Sequence, residues 1–324
     1  MATVNPIRNS NLATATNGIR LSQMISQEVN LLLKDASNLR NTGLISYQGS
    51  INGLGSDTVR VRLAGLDGYD MMAGATSEIH DHSSDTTGLT VTNADIQAAR
   101  QYIIYEISDL AGMTATGAAN DIDPFRLARS IAGSYEARFA DMTGEAAASF
   151  SATAGANTTT LSVDDFFDAI FSLEQAGFGT GTAGGAAGPY ACVLAPKALT
   201  ELQDSLRNET GNAISRMQAS QDMLMAKGEN FSGNLFGVDV YRNALVNQNG
   251  SSGYDNYMIS PLALGFVDGI PTGIQGAADL MEMGKVVVEF DRQPMSAKTF
   301  VVGHAYLGIS IIEDARGVKL LSKR

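Results

Sequence analysis

FVVGHAYLGISIIEDARGVKLL, residues 300–321, runs almost to the end of the chain. Apolar and β-branched residues dominate it and alternation shows in part, so it reads as one long strand. KVVVEF (285–290) just upstream is the nearest further strand signal, and RQYIIYEIS (100–108) is another, far back in the sequence. A strong strand placed last needs a sheet begun earlier. What lies between decides how the sheet is closed.

Residues 153–279 carry a mixed α/β pattern of their own. FSATAGANTTT (150–160), rich in Ser, Thr and Gly, marks its boundary. SVDDFFDAIFSLEQAG opens on Ser162 and Asp165, spaced as a capping box, and ends at Gly177. GPYACVLA is a short buried strand, PKALTELQDSLRN a helix, and NAISRMQASQDMLMAK a methionine-bearing helix. FGVDVYRNALV and NYMISPLALGFVDGI supply more strands. The sheet opened by RQYIIYEIS is thus left open while 153–279 form a separate unit, and the chain returns to complete it: an inserted domain within a discontinuous one.

Ahead of the insertion, Asp123 stands as an N-cap with Pro124 at the first helical position, where a missing N–H costs nothing. Phe125, Ala128, Ile131, Ala132, Tyr135, Phe139 and Met142 mark one face of a helix of roughly 25 residues, about 37 Å at 1.5 Å per residue. Further upstream, DTVRVRLAG alternates strictly. Val59, Val61 and Leu63 point one way, and Thr58, Arg60 and Arg62 the other. LTVTNADI returns as a second strand after a polar stretch. Such a hairpin is marginal alone in water and calls for a partner. Residues 1–43 read as a polar arm and a helix with Ile25, Val29, Leu32 and Ala36 on one face, left to dock on something else.

The 324 residues suffice for about two domains. A formal charge of −12 argues against a general binder of nucleic acid or anionic membrane, though not against a protein that sits beside DNA without adhering to it. Cys192 is the single cysteine, so the fold needs no disulfide; its setting, YACVLA, reads as a buried small hydrophobe. No apolar run approaches the roughly 20 residues of a membrane span. MATVNPIRNS lacks a signal-peptide core, which implies folding in the cytoplasm and weighs against a surface adhesin.

The chemical motifs are weak. GTGTAG (179–184) matches a dinucleotide fingerprint, but a helix precedes it and a strand follows, the reverse of the order that places a pyrophosphate on a helix N-terminus. EIHDHSSD offers Glu78, His80, Asp81, His82 and Asp85. On a strand Glu78, His80 and His82 would share a face and could hold zinc, but no hydrophobic wall stands nearby to close a site, and a polar loop tip is the better reading. His304 lies among apolar neighbours and reads as a satisfied sheet residue. Asp164 and Asp165 sit in a helix's first turn, where the macrodipole accounts for them. No catalytic residue, cofactor or firm metal site is expected.

In its order of elements the chain resembles the major capsid proteins of tailed bacteriophages, the Hong Kong 97-like fold. The likeness rests on the arm, the long polar hairpin, RQYIIYEISDL, the helix DPFRLARSIAGSYEARFADM, PYACVLAPKALTELQD and the closing VVVEF…FVVGHAYLGISIIEDARGVKLL. It implies an α+β fold with an N-terminal arm (1–43), an E-loop (44–97), a P domain with a long spine helix (98–152) closed by strands in 280–324, and an inserted A domain (153–279). The implied function is self-assembly of hexamers and pentamers into an icosahedral shell around phage double-stranded DNA, in a virion built in the host cytoplasm, with no enzyme activity. Ile25, Val29, Leu32, Arg60 and Arg62 become candidates for contact between subunits. An E-loop lysine crosslink is excluded, because no lysine lies between Lys34 and Lys197. A short arm beginning at Met1 implies a separate scaffolding protein, beside a portal and a possible cement protein. Two alternatives remain: an encapsulin-like compartment shell of the same fold, and a metal-dependent enzyme using His80 and His82.

Overall fold

The computed structural model describes residues 25–32, 45–52, 54–65, 90–108, 124–175, 188–208, 230–249, 253–269 and 286–324. The first elements are α1 (25–32), β1 (Ile45–Ser50), β2 (Thr58–Gly65), β3 (Thr90–Gln97), β4 (Ala99–Ser108), α2 (Pro124–Ala147) and β5 (Thr153–Gly155). There follow α3 (Val163–Gln175), β6 (Tyr190–Leu194), α4 (Pro196–Asn208), β7 (Phe231–Leu235), β8 (Val238–Arg242) and β9 (Gln248–Asn249). The last are β10 (Gly253–Ile259), β11 (Leu264–Gly269), β12 (Val287–Gln293), β13 (Lys298–Ile311) and β14 (Gly317–Lys323).

The described strands form three sheets. One has five strands in the order β1-β11-β13-β12, with β4 also on β13; one has seven in the order β5-β14-β10-β6-β8-β7, with β9 on β10; the third is the β2–β3 pair. The closing run is therefore not one strand but two. It leaves the five-stranded sheet at Ile311, turns through Asp314–Arg316, and enters the seven-stranded sheet at Gly317. The turn is held locally: Arg316 pairs with Glu313, and the Ser151 amide donates to Asp314 Oδ1 at 3.0 Å. Apolar residues stand close on both sides of this short turn, Ile311 and Ile312 before it and Val318 after it, which is why the pattern reads as unbroken.

A second crossing lies alongside. β10 belongs to the seven-stranded sheet and β11 to the five-stranded one, joined through Ser260–Ala263. Across the junction the Ser260 amide donates to the Arg316 carbonyl at 3.0 Å and the Ile312 amide to the Ala263 carbonyl at 2.9 Å. β10 pairs antiparallel with β14, and β11 with β13. The two crossings thus form one bent antiparallel ribbon that belongs to both sheets. Consequently β11 leaves the expected 153–279 unit for the sheet of β4 and β13, and β14 leaves the expected closing strands for the other.

Helix α2 spans 24 residues, close to the expected length, and packs on β11 and β13 of one sheet and β10 and β14 of the other. Ala128, Ile131, Ala132, Tyr135 and Phe139 are buried as their spacing requires, and Met142 is half-buried. Phe125, expected on the same face, is 56% exposed because the covered stripe begins only a turn later. Asp123 lies outside the described residues. The capping box of α3 forms in full: the Asp165 amide donates to Ser162 Oγ at 3.2 Å, and the Ser162 amide to Asp165 Oδ2 at 2.9 Å.

Within the seven-stranded sheet, Asn256 is fully buried and saturated. Its Oδ1 accepts from the Ala195 amide at 2.7 Å, while its Nδ2 donates to the Leu320 carbonyl at 3.0 Å and Ser322 Oγ at 2.9 Å. One side chain thereby ties the end of β6 to β14 across β10. Phe150, 1% exposed, seals the start of β14, where a Cβ on Gly317 would fall inside its ring.

Helix α1 corrects an expectation. Its apolar face, left by the sequence reading for another subunit, is covered by this chain: Ile25 and Val29 are both 0% exposed and Leu32 packs on the same core. The reason lies at the start of β12, whose outward backbone groups α1 bonds. Asn30 Oδ1 accepts from the Val286 amide at 3.2 Å, Asn30 Nδ2 donates to the Val286 carbonyl at 3.1 Å, and Ser26 Oγ accepts from the Val288 amide at 3.0 Å. Two side chains one helical turn apart thereby bond the backbone at the start of β12 on the side away from β13, where a neighbouring strand would otherwise bond it.

Candidate subunit-contact surfaces

The β2–β3 pair runs through eight residues of antiparallel register, Thr58 opposite Gln97 to Gly65 opposite Thr90. It is the hairpin expected from alternation. Val59 and Val61 pack, with Ile51, on a small cluster of Ile96, Ala98, Val267 and Ile312, which joins this end of the pair to the body. There Gly308 of β13 approaches the chain closely: a Cβ on it would overlap the Gln97 carbonyl, a backbone atom that cannot swing aside.

Arg60 and Arg62 lie on the other face, and both are exposed. Arg60 is engaged at home, its Nε and Nη2 donating to the Asp95 carboxylate at 2.8 and 2.9 Å. These are directly opposed residues, the arrangement in which a cross-strand ion pair is most effective. Hydrogen bonding from Arg60 holds the Asp95 carboxyl below its ordinary value, and the same bond raises the guanidinium. Asp57 is likewise lowered, by donors from Gln97 and Thr58. Arg62 stands opposite Asn93, which offers no charge.

A second surface is the five-stranded sheet face opposite α2. Residues paired across strands share a side, so Tyr102, Ile104 and Glu106 of β4 line up with His304, Val302 and Phe300 of β13. Tyr102 is 63% and Ile104 50% exposed, whereas Phe300 and Val302 are half-buried. Lys298 Nζ lies 2.5 Å from Glu106 Oε1 at the end of this row.

His304 sits in the same face, 8% exposed. Arg100 Nη2 lies 2.8 Å from His304 Nδ1, and Glu289 Oε2 lies 2.8 Å from Nε2. A guanidinium only donates, so Nδ1 must accept and Nε2–H must point at Glu289. Both ring nitrogens are committed, which leaves no lone pair for proton abstraction. Cys192 is fully buried, and desolvation pushes its thiol far from the thiolate range, so it serves as neither nucleophile nor ligand. Burial likewise pushes the Tyr241 phenol up to about 12.

Glu78, His80, Asp81, His82 and Asp85, together with GTGTAG, lie outside the described residues. Among the described residues no group of three or more His, Cys, Asp and Glu side chains is placed to hold a metal ion. No described helix is long and apolar enough to cross a membrane. Sequence reasoning missed the Arg100–His304–Glu289 row, since Arg100 comes from a strand some two hundred residues away from the other two.

No family model and no curated protein matches the chain. Solved structures do. A chain of Mycobacterium phage Che8 is 14% identical with a TM-score of 0.52, covering 86% of this chain and 89% of that one. The capsid of Ralstonia phage GP4 is 10% identical with a TM-score of 0.56, covering 86% of each chain. The SrpI encapsulin of Synechococcus elongatus is 10% identical with a TM-score of 0.55, covering 85% of this chain and 84% of that one. At such identities the likeness is one of architecture, and the architecture of this chain is that of the tailed-phage capsid fold.

Proposed function

We propose that this chain is the major capsid protein of a tailed bacteriophage, assembling as hexamers and pentamers into the icosahedral shell that encloses double-stranded DNA. The observation that carries this reading is the match to the GP4 capsid over 86% of both chains. The hairpin supports it: most of its described side chains are exposed or half-buried, and a second subunit would give it something to lie on. The role is structural, not enzymatic.

Within that reading, residues 1–43 act as the N-terminal arm and 44–97 as the E-loop. Residues 98–152 and 280–324 act as the P domain, and 153–279 as the A domain, with β11 and β14 knitting the last two together. A separate scaffolding protein, a portal and a cement protein would be partners, and assembly would take place in the host cytoplasm. The net charge of −12 suits a wall that must not trap packaged DNA.

Expression of the chain alone and with its neighbouring genes, followed by light scattering and negative-stain microscopy, tests this. Closed shells or ring-shaped capsomers are the expected result; a persistent monomer under both conditions would overturn it. The encapsulin match, at a TM-score of 0.55, favours one second reading, a compartment that encloses protein. Nuclease-protected DNA in native particles selects the phage, and enclosed protein cargo selects the compartment.

A further inference from the structure

Helix α3 carries Asp164, Phe167, Asp168, Phe171 and Glu174, all exposed, at spacings of three and four residues that place them in one stripe. Phe167 is 45% and Phe171 57% exposed. A third ring joins them: Phe236, 40% exposed, has its centroid 4.5 Å from that of Phe167. Phe236 and Gly237 are the two loop residues between β7 and β8, with φ of 51° and 83°. Positive φ at both positions is the mark of a type I′ turn, which favours Asn or Asp before Gly. A phenylalanine is held there against its own backbone preference while much of its ring stays in water. Strain kept at an exposed site points to a use for the side chain. The sequence of α3, VDDFFDAIFSLEQ, holds no lysine or arginine. The patch is therefore aromatic and uniformly acidic.

The opposite chemistry stands on the same chain. The first turns of α2 expose Phe125, Arg126 and Arg129, which line a groove with Glu28 and Leu32 of α1. Among the described residues that line it, two guanidinium groups stand against one carboxylate, a positive balance.

We propose that the α3 patch of one copy docks in the α2 groove of a second copy, phenyl rings against Phe125 and Leu32, and Asp164 and Asp168 against Arg126 and Arg129. This rests on the shell reading and names a contact within it. Two unlike surfaces meet, so each copy retains one free half of the contact and the association propagates around a ring. Patch-to-patch contact between identical surfaces would instead press carboxylates together.

Full-length chain with Phe171→p-benzoylphenylalanine, made as a mixture of ¹⁴N and ¹⁵N protein, is irradiated at high concentration. Crosslinks between copies to residues 124–129 are expected. Crosslinks elsewhere, within one copy only, or none, overturn the proposal. In parallel, Asp168→Arg and Arg129→Asp should each weaken self-association on the order of tenfold by sedimentation, and the two together should restore it to within about threefold. Unchanged association in either single variant overturns the contact. Normal shells from Asp168→Arg protein would sink this contact while leaving the shell reading intact, whereas failure of the unaltered chain to form shells with its neighbouring gene products strikes the shell reading itself.

Discussion

The β10–β14 pair and the β2–β3 pair are nearly equal as backbone. Both are antiparallel, with seven residues of register in one and eight in the other. Their surroundings differ completely. Six of the seven β10 residues are buried, whereas Arg60 and Arg62 of β2 and Asn93, Asp95 and Gln97 of β3 are exposed. Strand pairing exchanges water hydrogen bonds for protein ones at small net gain, so burial separates a strand pair that holds a fold together from one whose outer face stays in water.

The buried ribbon is most sensitive at Phe150. Phe150→Ala should cost about 3–5 kcal/mol in urea unfolding, because the ring is 1% exposed and closes the start of β14. Next is Asn256→Ala, expected to cost about 2 kcal/mol by the same measurement, since it strands the Ala195 amide without its buried acceptor. Ser162→Ala removes the reciprocal cap of α3 and should cost about 1 kcal/mol.

Predictions on the hairpin have the opposite character. Asp95→Asn should leave the unfolding midpoint of the body unchanged and weaken shell formation; a shifted midpoint would mean that the hairpin is integral to the monomer. The pH response follows from the same pair. Asp95 and Asp57 have lowered pKa values in the folded state, so their contribution is complete above the ordinary carboxylate range and is lost as pH falls through the depressed values. Hydrogen exchange in β2 and β3, corrected for intrinsic rates, should therefore show the hairpin opening in strong acid. Asp95→Asn should flatten that response.

Much of this was legible beforehand because the signals are local. Alternation in DTVRVRLAG identified β2, and LTVTNADI its returning strand; the register of Thr58 with Gln97 comes from the structure. Spacing in DPFRLARSIAGSYEARFADM identified α2 nearly to its length, and Ser162 with Asp165 marked the start of α3. Exposure of Phe125 and the intrachain burial of Ile25 and Val29 were not legible. An apolar stripe states that a face will be covered, and says nothing of how far cover extends or whose surface provides it.

The closing run shows where the division falls. Residues 300–321 were bound to be extended, because β-branched and apolar residues in partial alternation suit a pleated, buried surface whichever sheet receives them. That the run is shared between two sheets was decided by tertiary structure alone. The bend at Asp314–Arg316 is set by a neighbouring crossing at Ser260–Ala263, by Asp314 meeting Ser151, and by Phe150 filling the space beside Gly317. Those partners lie far away along the chain, and periodicity carries no information about them.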